Sequence, residues 1–435
     1  MAIVAVSLWM MHRLCGVFDL TRITIPSFFY DLYVVSILVP GFFIFADEVT
    51  SSRLRFLIGI ESVLITVPVG ISIANLLWGF ERRQVTGFFE RAVPSEPLGR
   101  PAVTLFVVFL GFGALFVAIN LVQMGTVPLF YLIRNPGEAL IAAMLREDSF
   151  KLLNSHFTYI FGVLRGVIFP FLIVLAYGRY RRQGRRTWRW LFWITLLLGV
   201  FYASLTIEKS PVAAIFGLLF IFYYLYRGGR IGRIAAISSI VLFLCFPLMV
   251  VLLAYHGTQG GTLQGALQAL GSRLFYSPAQ IVYAYFEVFP AVIPFQHGAS
   301  IAKIATILGW KTVDIPNAVG LYMTLGGDLD TITANSCFIG NLNADWGLPG
   351  VFVGGVVAGF AMQAVNIYLC RRPKTVVNIA AHAICMWAFG LLVTTALPTI
   401  LLSGGVSIAL ILAWIFGRDS RDAVSPQTIP AHAQP

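Results

Sequence analysis

Apolar runs of about 16 to 25 residues recur along the whole chain, and each is long enough to cross a hydrocarbon layer roughly 30 Å thick as a helix. They lie near 2–18, 27–45, 56–79, 102–124, 155–177, 190–207, 211–226, 234–254, 346–370, 376–397 and 399–416. Backbone N–H and C=O groups in lipid must be satisfied within the segment, so the runs are predicted to be helices. Hydrophobic residues make up 58% of the 435 and charged ones 11%, against about 25% charged in a soluble domain. A soluble fold has too little polar material here to cover its surface. The expectation is one all-α polytopic membrane domain over 1–435 with about 11 (10–12) transmembrane helices. The opening stretch "MAIVAVSLWMMHRLCGVFDL" lacks both a basic n-region and a small-residue cleavage site, so it reads as a short first span.

Charge orients the spans. Arg179, Arg181, Arg182, Arg185, Arg186 and Arg189 crowd the loop "GRYRRQGRRTWRW", and placing that loop inside fixes every other. The loops 12–22, 80–101, 178–189, 227–233 and 371–374 and the C-terminal tail then hold 20 of the 30 Lys and Arg. The net charge of +11 therefore reports topology, and its division among small loops argues against nucleic acid as a partner. The C-terminus falls inside. Cys15, Cys245, Cys337, Cys370 and Cys385 show no metal spacing and mostly sit in apolar runs. No disulfide framework, metal site or cofactor is expected. No Walker, dinucleotide, H-E-x-x-H or G-x-S-x-G pattern occurs either.

Two outside segments are long, 125–154 and 255–345. In the second, Leu263, Leu267, Leu270 and Leu274 recur at helical spacing, which suits a helix lying on the membrane surface. The run "PAQIVYAYFEVFPAVIPF" is aromatic and interfacial. No repeat of 20 to 50 residues and no soluble domain is visible.

The polar residues that break this pattern are few. Lys209 stands in "TIEKSPVAAIF" at the outer end of a tight helix pair, where it either snorkels beside Glu208 or meets an anion. Arg165, eleven residues into its run, counts to the bilayer midplane, where arginine costs roughly 2.5–3.5 kcal/mol and faces a partner or a cavity. Glu61 is the main acid available to it. Arg273 ends the leucine-patterned stretch. Together Arg165, Lys209 and Arg273 suit a lipid-linked diphosphate, whose departure leaves negative charge for cations to stabilise. The run "GGDLDTITANSCFIGNLNADWGLPG" crowds Asp328, Asp330, Asn335, Asn341, Asn343 and Asp345 before a span. Each alone is an ordinary cap; as a group they suit sugar hydroxyls, with Asn335, Asn341 and Asn343 as glycan contacts. Asp330, Asp345 and His297 are the possible general bases. Gly350 with Gly354, and Gly355 with Gly359, read as close helix packing.

This layout resembles the bacterial O-antigen, or oligosaccharide repeat-unit, polymerases of the Wzy type. The resemblance rests on about a dozen spans, the "K-S-P" element, the outer loop with its arginine, and the Asn/Thr-rich run into "ADWGLPGV", over roughly residues 120 to 400. It implies a metal-independent, GT-C-like glycosyltransferase of the inner membrane acting on undecaprenyl-diphosphate-linked oligosaccharide. The segments 125–154 and 255–345 would then be periplasmic. Lys209 would match the family's outer cation, Arg273 its loop arginine and Asn335 its polar run, with Arg165 matched loosely. Membrane lipid and a chain-length regulator in the inner membrane are the partners it allows. The alternatives are an O-antigen ligase, although His297 lies in no clear ligase motif, and a lipid-linked-sugar flippase or transporter. The latter calls for inverted repeats, and none is seen. A scaffold role ranks third, since little besides the outer loops is exposed to partners.

Overall fold

The structure is a computed structural model that describes the chain except residues 1, 15, 17–21, 45–49, 95–98, 152–154, 300, 302–304, 306–308, 312, 325–332 and 418–435. Among the described residues every regular element is helical. Nine helices there are long and apolar enough to cross a membrane: Ile25–Phe43, Ser51–Trp78, Arg100–Met124, Phe157–Gln183, Lys209–Tyr226, Arg233–Ala254, Phe338–Arg371, Val376–Val393 and Leu397–Phe416. The protein is an all-helical polytopic membrane protein.

Two of the eleven expected spans differ. The first is Ala2–Trp9 running into the π-helical turn Met10–Leu14, only about 20 Å of helix. The other, Arg186–Ser204, has 19 residues, but Arg186 and Arg189 in its first turn lower its apolarity. It still runs the length of the bundle. Trp188 packs edge-on to Phe106 near one end, and the Leu205 carbonyl just past the other end accepts the Leu129 N–H at 3.4 Å.

Successive long helices alternate in direction, which gives the bundle two distinct ends. One, rich in arginine, gathers the turns at 79–81, 184–185, 227–232 and 372–375. Arg91 donates there to the Cys370 carbonyl at 3.3 Å, and Arg371 to the Trp78 carbonyl. The far end gathers the described residues of 125–156, 205–208 and 255–337. Arg55 ties its helix to that end by donating to the carbonyls of Phe289 at 3.0 Å and Phe286 at 3.1 Å.

The tightest helix pairing joins Ser51–Trp78 to Phe338–Arg371. Small residues let the two backbones touch, as expected where lipid offers helices no hydrophobic drive to associate. A Cβ on Gly359 would stand 2.2 Å from the Val67 carbonyl oxygen, and one on Gly70 would stand 2.0 Å from that of Val356. Gly359→Val is therefore expected to remove the monodisperse detergent-solubilised species. Gly111→Ala, whose Cβ meets nothing within 4 Å, should leave it intact. Equal yields of both proteins in size-exclusion chromatography would show that this crossing does not hold the bundle. Gly350 and Gly354 instead face Trp346 and Leu342 of their own element, across a break at Gly347.

Lys374, in the turn after this pair, is only 2% exposed. It donates to the Phe89 carbonyl at 2.9 Å and lies 5.4 Å from the Phe88 ring centroid. Burial, with repulsion from Arg91 behind it, pushes its ammonium down to about 8. The unfolded chain keeps that proton up to the ordinary value of 10.5, so between about 8 and 10.5 it binds more protons than the folded chain. Stability should rise with pH across that window. The thermal midpoint is expected to climb from about pH 8 to about pH 10 in the native protein and to climb less steeply in Lys374→Met. A level profile in the native protein would mean that the ammonium is solvated.

The long segments 125–154 and 255–345 are helical where described: Pro128–Arg134 and Ala139–Lys151 in one, Leu263–Gly271, Ser277–Val288 and Ile315–Met323 in the other. Ala266 and Leu270 pack on Val251, while Leu263, Leu267 and Leu274 stay exposed.

Candidate functional site

The far end collects cations from four separate elements. Arg165 lies in a π-helical turn, Leu164–Ile168, inside Phe157–Gln183. Its Nη1 stands 2.5 Å from Glu208 Oε2 and donates to Thr206 Oγ1 at 2.8 Å, with the guanidinium 4.8 Å from the Phe161 ring centroid. The side chain is 14% exposed and that of Glu208 30%. Two expectations are corrected here. The partner of Arg165 is Glu208, not Glu61. Nor does Arg165 sit at mid-depth, because it meets the turn 205–208 that closes the far end of the neighbouring helix pair.

Glu208 thus turns away from Lys209. Lys209 is half-buried at the first position of Lys209–Tyr226, and the charges of Arg273 and Arg146 both bear on it. Packing explains how these three meet. Ile207 lies against Leu132, Ala142 and Val250, which docks Ala139–Lys151 and the far end of Arg233–Ala254 beside the turn. Leu263–Gly271 then docks on that same end through Val251 and leads into the π-helical turn Ser272–Tyr276, which carries Arg273. Among the described residues Lys209, Arg273 and Arg146 have no acid partner. Three like charges on one end of the bundle, without a counter-charge among the described residues, would attract an anion. The backbone is also strained at this point. Ile207 holds φ +52°, a left-handed conformation costing a β-branched residue about 1–3 kcal/mol. Arg146 escaped sequence reasoning because "LREDSFK" reads as the solvated face of a surface helix.

Two hollows adjoin the arginine turn and share Tyr276 as a wall. One is an apolar groove of about 440 Å³ lined by Val35, Val39, Pro40 and Phe275. The other, about 820 Å³, is lined by Tyr283, Tyr322, Gln280 and Glu287 among apolar residues. Glu287 is half-buried and has no cationic partner among the described residues. It too was missed, hidden in an aromatic run that reads as interfacial.

The remaining candidates form a second group. Gly347, with φ 65° and ψ −157°, interrupts Phe338–Arg371 in the middle of "ADWGLPG". Asp345, before the break and 2% exposed, accepts the Gly298 N–H on Oδ1 at 3.0 Å, and its carbonyl accepts the His297 N–H at 2.9 Å. Its carboxylate therefore pins the loop 296–299 onto the broken helix. His297 itself is exposed, with φ +50°. Asp345 and half-buried Asn341 line a cavity of about 520 Å³ whose other walls include Trp346, Val353, Val357 and Leu397. Asn335 is exposed in the irregular segment that leads into the helix. Asn343 is fully buried and donates to the Tyr285 carbonyl at 3.3 Å, a packing position rather than a glycan-facing one. Asp330 lies outside the described residues. Among those residues no group of three His, Cys, Asp or Glu comes together.

No protein family matches the chain, and no curated protein or solved structure matches it either.

Proposed function

We propose that the protein is a glycosyltransferase that polymerises lipid-linked oligosaccharide repeat units, working at the far end of the bundle with that end facing the periplasm. The observation that carries this reading is the gathering at one end of the bundle of Lys209, Arg273 and Arg146, without acid partners among the described residues, where an apolar groove and a tyrosine-lined cavity open beside the Arg273 turn. A lipid diphosphate needs all three features: cations for its phosphates, a groove for its hydrocarbon, and room for its sugars. The free N–H groups that open Lys209–Tyr226 add to the attraction for an anion. The tyrosine faces of the larger cavity suit the C–H faces of sugar rings, and Gln280 and Glu287 suit their hydroxyls.

In this reading a hydroxyl of the incoming unit attacks the anomeric carbon of the growing chain. The carbon–oxygen bond to the diphosphate breaks, and the diphosphate leaves with the electron pair through an oxocarbenium-like transition state. Lys209, Arg273 and Arg146 stabilise the charge that develops on it. The hydroxyl proton passes to a carboxylate in the cavity. Glu287 suits that role better than Asp345, whose carboxylate is already engaged by Gly298. Attack from the face opposite the leaving group inverts the anomeric configuration. Arg165, held by Glu208, positions the turn that presents Lys209.

A broken helix bearing polar residues, as at Gly347, is also a feature of transporters, so a flippase is the second reading. Reconstitution with a purified lipid-linked repeat unit separates the two. A ladder of lengthened products is the expected result. Movement of the unit across the bilayer with no lengthening would replace the polymerase by the flippase.

A further inference from the structure

The arginine-rich end carries a hollow that the chemistry proposed for the far end does not use. It measures about 900 Å³ and opens between the start of Ile25–Phe43, the segment 89–90 and the turn after Lys209–Tyr226. Phe28, Phe220 and Met386 line its apolar floor, and Arg22, Arg227 and Arg230 stand on its rim. Arg22 is paired with Glu90 at 2.9 Å. Arg227 and Arg230 are exposed and have no acid partner among the described residues. Three arginines against one glutamate leave the rim a net charge of +2.

The turn that presents these arginines is shaped for its place. Gly228 holds φ +69°, and a Cβ there would stand 2.6 Å from the Phe89 carbonyl oxygen. That same oxygen accepts from buried Lys374 at 2.9 Å. The turn is thus pressed onto the segment 89–90, and the cations are held above the apolar floor.

We infer that this hollow binds an acidic glycerophospholipid of the adjoining leaflet, with its phosphate between Arg227 and Arg230 and its acyl chains over Phe28, Phe220 and Met386. Basic hollows between membrane helices recognise lipid head groups through this combination of charge and apolar floor. A small soluble phosphate would satisfy the rim but leave the floor facing water. The charge of +2 favours a diphosphatidyl lipid, which carries two phosphates, over a lipid with one.

The test is lipid retention measured by native mass spectrometry, after incubation with vesicles of phosphatidylcholine alone or with added phosphatidylglycerol or diphosphatidylglycerol. The native protein should keep the diphosphatidyl lipid and release phosphatidylcholine. Arg227→Gln with Arg230→Gln should weaken retention about 25-fold, about fivefold for each charge, with an unchanged thermal midpoint in phosphatidylcholine. Glu90→Gln frees Arg22 and should tighten retention about fivefold, a gain that misfolding cannot imitate. Equal retention of neutral and acidic lipids, or no change in these variants, would overturn the assignment. Displacement by inorganic phosphate at the lipid's own concentration would also overturn it, and would make the hollow a soluble-phosphate site.

Discussion

Arg273→Ala is expected to cut the rate of chain lengthening by about 10²–10³, the loss typical of removing one group that stabilises charge in a transition state. Lys209→Ala should do the same. The three charges repel one another when no anion is bound, because each raises the cost of the others. Removing one should therefore leave the empty protein as stable as before, or slightly more so, while activity collapses. That combination of lost function with retained stability marks a site and not a scaffold. Arg273→Lys should recover only part of the rate, because an ammonium cannot grip two phosphate oxygens as a planar guanidinium does. The measurements are laddered product per unit of folded protein and thermal midpoint in detergent. Native-length chains from both alanine variants would return Arg273 and Lys209 to ordinary surface charges.

Spans and pairings are legible in a sequence to different degrees, for a physical reason. A membrane helix is a local property of apolar length, so most spans could be read directly, and "EKSP" stood out because little else in that region is polar. Arg186–Ser204 is the instructive case: three tryptophans and two early arginines dilute its apolarity, yet its length carries it across the bundle. Pairings are not local. Adjacency in sequence offers Glu208 to Lys209 as one of its two options, yet the turn aims it at Arg165, 43 residues earlier. Depth counted along the chain misplaced Arg165, since it assumes that helices start level with the membrane face. Asn343 stands in a polar run, which suits a glycan contact. Helical phase instead puts it against Ser277–Val288, where the Tyr285 carbonyl needs a donor. Arg146 and Glu287 carry no local mark at all. Their roles come from the docking of surface helices on the far end, which no spacing rule contains.

Glu208 sets the last expectation, because two pairings predict opposite outcomes. Its carboxylate lies 2.5 Å from Arg165, and the arginine is largely enclosed against Phe161 and Thr206. Breaking a fully buried pair by removing one partner costs about 3–5 kcal/mol, since the other charge is left uncompensated. Glu208 is 30% exposed, so water recovers part of that loss. Glu208→Ala is expected to cost about 2 kcal/mol, and Glu208→Gln less, because the amide oxygen still accepts from the guanidinium. Lys209→Ala should cost almost nothing, its ammonium having no acid to leave behind. The double variant Arg165→Met with Glu208→Gln should regain most of the loss, as removal of both members of an enclosed pair often does. Activity should follow a different order: Glu208→Gln removes negative charge beside the anion site and should leave diphosphate affinity unchanged or raised. If Lys209 were held by Glu208 instead, their single substitutions would cost equal amounts and the double substitution no more than either. That non-additive result would make the turn a self-contained ion pair, and Lys209 would have no charge to offer a substrate.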